Sequence, residues 1–518
     1  MRWILGWALL AMAAWTMSVW TDPAYAQDGE PKAGNDSEEQ APPTEESEDE
    51  GAEEDGEKKA EEEPKEPPAF VLSDKDRKKV DKELRTFLVP SKKGRAMSAK
   101  GIRKLGDKPI DGHSFMEDVP ALSDIANRSR VFGSKVGRAG SLLPVKVPPA
   151  VHGFPGEIGT VTYWVRLPKG YKDKKLWPVI FCLPDTRAFP DTSKYIKDVW
   201  LKSKTIQNEF ILAVPTPAAK GKQWRTDPKS YARAMIALRH LVGTFEGSRK
   251  TAGPASDYMR VFIDGGDVAA AVAARFSEMF AGVILRGSDG NAGRIKLRNV
   301  GGINGLPAYA IVKKDSSKQQ SFAGAIKTAN DATAVVVADD VNAVDPEAAA
   351  TWIKELAPRT QLRQLEYTIH NSSFQRHHWI NVLRYDGSRK DPANFRARAD
   401  RIANVITIEN DGVSSFEVSL NDAIVDLNRD VTIKVVEDDK EMIVWNGKVE
   451  RDLGFMLTEL LESNQPWRIY PARIAVDMPS ARAKWAEEEA KRKAAEAAQE
   501  EAEKKGTSAR FVGESLDR

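Results

Sequence analysis

The chain has 518 residues, 41% apolar and 30% charged, with a single cysteine and a net charge of +1. That length accommodates two or three domains, the composition suits a soluble globular protein, and the lone Cys182 excludes an intramolecular disulfide framework. The near-neutral total conceals two opposed parts: residues 28–66 hold 18 acidic and 4 basic side chains and carry −14, while the body, 69–479, carries about +15. A basic body points to nucleic acid, an anionic surface or the chain's own acidic arm. No Lys/Arg run exceeds three residues, so a solvated mixed surface is the plainer reading and no specific nucleic-acid partner is expected.

In chain order, Arg2 precedes an uncharged, mostly apolar stretch from Trp3 to Thr21, and Ala24-Tyr25-Ala26 supplies a small-x-small cleavage pattern. Residues 1–26 therefore read as a signal peptide, with Gln27 first in the mature chain and a secreted or periplasmic destination. The alternative is an uncleaved anchor, since the stretch approaches the length that spans a bilayer. Residues 27–68 are rich in Glu, Asp, Pro, Gly and Ser and lack aromatics. Such a segment buries too little apolar surface to offset its ordering entropy, and it is expected to be a disordered acidic linker.

Residues 69–150 read as a helical preface, with Val80, Leu84, Phe87 and Leu88 on one helix face and a second helix near Met116–Arg130. From 151 to 358 strands and helices alternate. Gly159–Leu167 alternates like an antiparallel strand, and Pro178–Pro184 and Phe210–Pro215 are continuous apolar runs suited to buried strands. Cys182 lies inside the first of these runs, so a buried small side chain is expected there. Further strands follow at Arg260–Gly265, Phe280–Leu285, Pro307–Val312 and Ala332–Ala338, with helices at Ser230–Val242, Val268–Phe280, Ser321–Asn330 and Asp345–Leu356. The pattern predicts a mostly parallel α/β sheet with helices on both faces. Residues 359–479 read as a small β-rich domain, with a hairpin turn at Asn446-Gly447 between Met442–Trp445 and Lys448–Arg451. Residues 480–518 form a charged helix and tail without an apolar stripe.

The stretch 155–357 resembles the α/β-hydrolase superfamily, especially secreted esterases and depolymerase-like or prolyl-oligopeptidase-like members. The resemblance rests on Leu167-Pro168-Lys169-Gly170-Tyr171 at the end of the opening strand and on the order of strands and helices that follows. It implies a Gly-x-Ser-x-Gly elbow, a His-Gly oxyanion loop, and an acid and a His after the last two strands. The sequence departs from each of these but the acid. The elbow reads Gly265-Gly266-Asp267-Val268-Ala269, with Asp267 where the serine belongs. The oxyanion loop reads Pro184-Asp185-Thr186-Arg187; Pro184 has no N–H to donate, and Asp185 sets negative charge where an oxyanion would form. No His occurs between His240 and His370, so Asp339-Asp340-Val341-Asn342 stands where the base is expected. Asp315 stands where the acid is expected, although a loop aspartate after a strand is also a common turn residue.

An aspartate nucleophile forms an ester that a positioned His must help hydrolyse, so Asp267 without a base would be trapped. His370, His377 and His378 lie near Asp386, but adjacent residues of a strand face opposite sides and do not readily share a metal. Gly287-Ser288-Asp289-Gly290 reads as a turn. No phosphate loop or cysteine metal cluster is present, and no cofactor is expected. Two readings remain open. One is a non-catalytic binding or scaffold protein that takes a small molecule, peptide or glycan. The other is an atypical secreted hydrolase using Asp267, which would require a His within about 3 Å of that carboxylate.

Overall fold

The computed structural model describes residues 66, 68–89, 94–133, 136–153, 156–217, 223–225, 227–245, 249, 252–292, 295–296, 305–356, 361–369, 376–385 and 393–514. The expected signal peptide lies outside the described residues, as does nearly all of the expected linker. Every described helix and strand lies in one compact unit, 68–518. Among the described residues no helix is long and apolar enough to cross a membrane.

The unit opens with helices α1 (Asp74–Leu88), α2 (Gly94–Gly106) and α3 (Val119–Arg128). Ser73 caps α1 by accepting the Asp76 N–H, and Asp118 caps α3 by accepting that of Ala121. Val80, Leu84 and Leu88 recur on one face of α1 and are buried there, as their spacing predicts. Helix α2 occupies the Gly-interrupted stretch that carries no apolar periodicity.

An eight-stranded sheet spans residues 142–338. Its strands are β1 (Leu142–Val147), β2 (Val161–Arg166), β3 (Trp177–Leu183), β4 (Ile211–Pro215), β5 (Ser256–Gly265), β6 (Gly282–Arg286), β7 (Ala308–Lys313) and β8 (Ala334–Ala338). They lie in the order β1-β2-β4-β3-β5-β6-β7-β8. β2 pairs antiparallel with β1 and β4, and the remaining pairings are parallel. This mixed α/β layout is the one the α/β-hydrolase resemblance implies. β1 falls inside the expected helical preface. It is an edge strand containing Pro144, which is tolerated only where no central ladder bond is needed.

The central strands are buried on both faces, which explains their unbroken apolar runs. Ile180, Cys182, Leu212, Val214, Phe262 and Ile284 pack on one face against Ile196, Trp200 and Ile206 and against Ala350 and Ile353 of α7 (Pro346–Glu355). Cys182 is fully buried, and burial pushes its thiol well above the ordinary range. Helices α4 (Pro228–Val242), α5 (Asp267–Arg275) and α6 (Ser317–Ala329) complete the α/β alternation.

Two smaller sheets span 364–477. The five-stranded sheet has the order β9-β12-β13-β15-β16, with β9 (Gln364–Ile369), β12 (Ala393–Asp400), β13 (Val405–Asp411), β15 (Val431–Glu437) and β16 (Lys440–Gly447). The four-stranded sheet has the order β10-β11-β14-β17, with β10 (Arg376–His377), β11 (Ile380–Tyr385), β14 (Val413–Leu420) and β17 (Ala472–Asp477). One core fills the space between them, including Phe395, Ile406, Phe416, Val418, Ile433 and Ile474. Helices α8 (Leu453–Ser463) and α9 (Met478–Glu514) complete this part.

The β15–β16 hairpin turns at Asp438-Asp439, with φ of 48° and 61°, and not at Asn446-Gly447. Asn446 and Gly447 pair instead with Thr432 and Val431 inside the ladder, and Lys448–Arg451 forms no strand. Two successive left-handed residues match the twist of a tight hairpin, and aspartate tolerates that conformation well enough for Asp-Asp to compete with Asn-Gly.

Gly265 ends β5 with φ +152°, and a Cβ there would stand 2.2 Å from the Leu183 carbonyl oxygen. We expect Gly265→Ala to lower stability by about 2–4 kcal/mol, measured by chemical denaturation. Unchanged stability would show that β3 and β5 can separate at the elbow.

Candidate functional site

The elbow is built as a strand-to-helix turn. β5 ends at Gly265, Gly266 caps the helix with φ −89° and ψ −141°, and Asp267 is the first residue of α5. The turn is tight because Gly265 lies against Leu183 on one side and Ala269 on the other. Ala269 to Ala274 are buried, since their small side chains let α5 lie close to the sheet.

Asp267 sits at the mouth of this turn, half-buried. Its Oδ1 accepts a hydrogen bond of 2.7 Å from Ser288 Oγ. Burial raises the Asp267 carboxyl above the usual carboxylate range; the Ser288 hydroxyl opposes this, and the Asp289 charge adds to it. Ser288 is buried and lies just after β6, between Gly287 (φ +65°) and Gly290 (φ +77°). The sequence reads this segment as a turn and gives no sign that it folds back onto the elbow; the chain bends at Gly287 and Gly290.

The loop after β3 places Asp185 beside Arg187. The Arg187 guanidinium donates from Nε and Nη2 to the Asp185 carboxylate, at 3.0 Å for Nη2 to Oδ2. That contact, with the Arg187 backbone N–H, holds the Asp185 carboxyl below its usual range although partial burial opposes it. The positive charge of Arg187 also acts on Asp267. The loop therefore presents a paired carboxylate where an acyl-transfer enzyme presents unpaired N–H donors.

Beneath the elbow lies a buried charge pair. Asp264, the penultimate residue of β5, is fully buried, and Arg286 at the end of β6 donates from Nε to its Oδ1 at 2.8 Å. Tyr195 Oη and Trp200 Nε1 donate to its Oδ2 at 2.6 and 2.8 Å. Tyr195 and Trp200 are five residues apart and reach the same carboxylate because Ile196–Trp200 is a turn of π-helix. The Arg286 guanidinium also lies 5.0 Å from the Trp200 ring centroid and donates from Nη1 to the Val341 carbonyl at 2.9 Å. Val341 belongs to the Asp339–Asn342 segment, where the resemblance implies a catalytic His. The buried arginine thus grips that loop from below. Asp264 and Arg286 carry a sequence signal independent of any catalytic motif: a charge inside an apolar strand requires a partner.

Asp315 is exposed in the turn between β7 and α6, and no hydrogen bond joins it to Asp267 among the described residues. His240 of α4 bonds Tyr163 of β2 through Nδ1 at 2.8 Å. His370 and Asp386 lie outside the described residues. His377 and His378 are both buried, which excludes a surface role, and burial lowers His377 to a pKa of about 3. His378 is not in the strand: it has φ +48°, and its Nε2 lies 3.4 Å from Ser277 Oγ at the far end of the elbow helix. There Arg468, itself buried, donates to Glu278, to the His378 carbonyl and to Glu459 of α8. Gln465 adds a bond to Glu278 at 2.9 Å. The turn that follows the elbow helix is therefore pinned by groups from the loop between α8 and β17 and from the bend after β10.

No family model matches the chain, and no curated protein matches it. Solved structures do. A thermostable esterase matches at 15% identity and a TM-score of 0.28, over 41% of this chain and 59% of that one. Ferric enterobactin esterase from Salmonella typhimurium matches at 11% and 0.29, over 42% and 61%. Dienelactone hydrolase from Anabaena variabilis matches at 11% and 0.30, over 42% and 99%. The chain thus spans about three fifths of the length of the first two.

Arg286→Met would leave Asp264 buried without its counter-charge, and we expect a loss of about 3–5 kcal/mol in denaturant titrations. Adding Asp264→Leu should restore part of this, the remainder reflecting the orphaned Tyr195 and Trp200 donors. If the double variant were no more stable than the single one, the pair would not be the source. Asp267 has its folded-state carboxyl raised, so its ionised form costs stability above that raised value and the cost vanishes as pH falls below it. Asp267→Asn is therefore expected to raise the melting temperature at pH 7, with the gain shrinking as pH falls through the carboxylate range. A gain independent of pH would contradict this origin.

Proposed function

We propose that this is an exported binding or scaffold protein whose α/β-hydrolase-like crevice no longer catalyses. The observation that carries the reading is the Asp267–Ser288 hydrogen bond. Where a hydrolase needs a nucleophile activated by a base, the elbow side chain here is an acid engaged by a hydroxyl donor. The surroundings agree with this. Asp185 and Arg187 neutralise each other at the mouth, and Arg286 holds the loop that would carry the base. An alkyl ester formed on Asp267 would remain there, because no described histidine is hydrogen-bonded to this carboxylate to activate water. On this reading the protein holds a small molecule, peptide or glycan and does not turn it over. Export rests on the amino-terminal leader pattern, and a secreted or periplasmic setting follows from it.

The same contact supports a second reading, an atypical hydrolase of an ester or amide bond. A carboxylate made more basic by burial is better able to take a proton from the Ser288 hydroxyl. Purified protein beginning at Gln27, with Asp267→Ala and Ser288→Ala alongside, separates the two in an assay with a short-chain aryl ester. The proposal predicts no turnover above buffer, or equal slow turnover in all three proteins. Turnover lost in either variant would overturn it.

A further inference from the structure

A cleft with a volume of about 470 Å³ lies between α8 and the four-stranded sheet β10-β11-β14-β17, apart from the crevice. That volume lies in the range of small-ligand sites. One wall is a single helix face: Phe455, Thr458, Glu459 and Glu462 recur at helical spacing along α8. The opposite wall carries Arg376 from β10, Glu417 from β14 and Arg473 from β17.

Both arginines are already engaged. Arg473 Nη1 lies 3.2 Å from Glu417 Oε1, with its guanidinium 4.8 Å from the Phe455 ring centroid. Arg376 Nη2 lies 3.3 Å from Glu459 Oε1, and the other oxygen of Glu459 is held by the buried Arg468. Asp452, the remaining acid at the amino end of α8, accepts the Phe455 N–H as the helix cap. Glu462 stands at the other end, and among the described residues it has neither a hydrogen bond nor an ion pair. With the arginines matched to Glu417 and Glu459, the cleft carries the uncompensated charge of Asp452 and Glu462. Burial and the neighbouring Glu459 raise the Glu462 carboxyl, against the pull of Arg376. A cation seated beside Glu462 would relieve both effects.

We propose that this cleft is a binding site for the basic side chain of a peptide, an arginine or a lysine, with Glu462 as its counter-ion. The shape and charge fit an alkyl chain laid along Phe455 and Thr458 that ends in a guanidinium or ammonium group. Two negative charges and no unmatched positive one reject acidic ligands. This goes beyond the crevice reading and does not depend on it, since no residue of the elbow lines the cleft.

The test is calorimetric titration of the full mature chain with acetyl-Gly-Arg-Gly-amide and with the same peptide carrying citrulline, an uncharged isostere. We expect saturable binding of the arginine peptide, at least tenfold weaker binding of the citrulline peptide, and at least tenfold weaker arginine binding by Glu462→Gln. Glu462→Gln removes no hydrogen bond or ion pair among the described residues, so that variant should keep the parent's melting temperature. No saturable binding at millimolar peptide would overturn the proposal. So would citrulline binding as tightly as arginine, or binding that Glu462→Gln leaves unchanged.

Discussion

The pairing of Asp264 with Arg286 is the constraint around which the elbow is organised. Both groups come from central strands of the large sheet and are almost wholly removed from water. A buried carboxylate is tolerated only when its oxygens are satisfied, and here three donors do so. That requirement brings the π-helical turn carrying Tyr195 and Trp200 against the sheet. It also extends Arg286 to the Val341 carbonyl, fixing the loop above. Removing water strengthens each of these bonds, so the layer beneath the elbow is a fully hydrogen-bonded network.

Above that layer the polar groups of the elbow are engaged with one another. The charge of Asp185 is matched by Arg187, and Asp267 accepts the Ser288 hydroxyl. An active acyl-transfer site keeps such groups poised against a charge that appears only during reaction. Groups already satisfied in the resting protein have little left to offer a transition state. The far end of the elbow helix is equally committed, through Glu278 and Ser277, to Arg468, Gln465 and His378. The helix that would carry a nucleophile is held at both ends by contacts that serve structure.

Much of the fold is legible in the amino-acid sequence because it rests on periodicity. β2 alternates, the later strands of the large sheet are apolar runs bounded by turns, and α4, α5 and α7 follow at short spacing. The alternation of polar and apolar residues in Ser415–Leu420 and over most of Val431–Val436 marks strands of the smaller sheets. What periodicity misses has local causes. β1 contains Pro144 and Lys146 and is only partly buried, so it lacks an apolar signature. Helix α2 has Gly94, Gly101 and Gly106 and no regular apolar stripe. The β15–β16 turn uses Asp-Asp where Asn-Gly lies a few residues away and draws attention to itself. Of the site, Asp267 is found by its place after Gly265-Gly266. Ser288 is hidden, because only the three-dimensional path of a glycine-flanked turn returns it to the elbow. The buried Asp264–Arg286 pair is visible as two charges in apolar strands, but not as partners.

The most direct test of a crevice without chemistry is whether it can be acylated at all. Intact-mass spectrometry of the protein after incubation with an activated aryl acetate, followed by peptide mapping, reads this without requiring turnover. The account predicts no acyl adduct at Ser288 and, with hydroxylamine present to trap a mixed anhydride, no hydroxamate at Asp267, with any label confined to exposed lysines at the rate of free amines. A stoichiometric adduct on either elbow residue would contradict it, because it would show a nucleophile that the surrounding network leaves available.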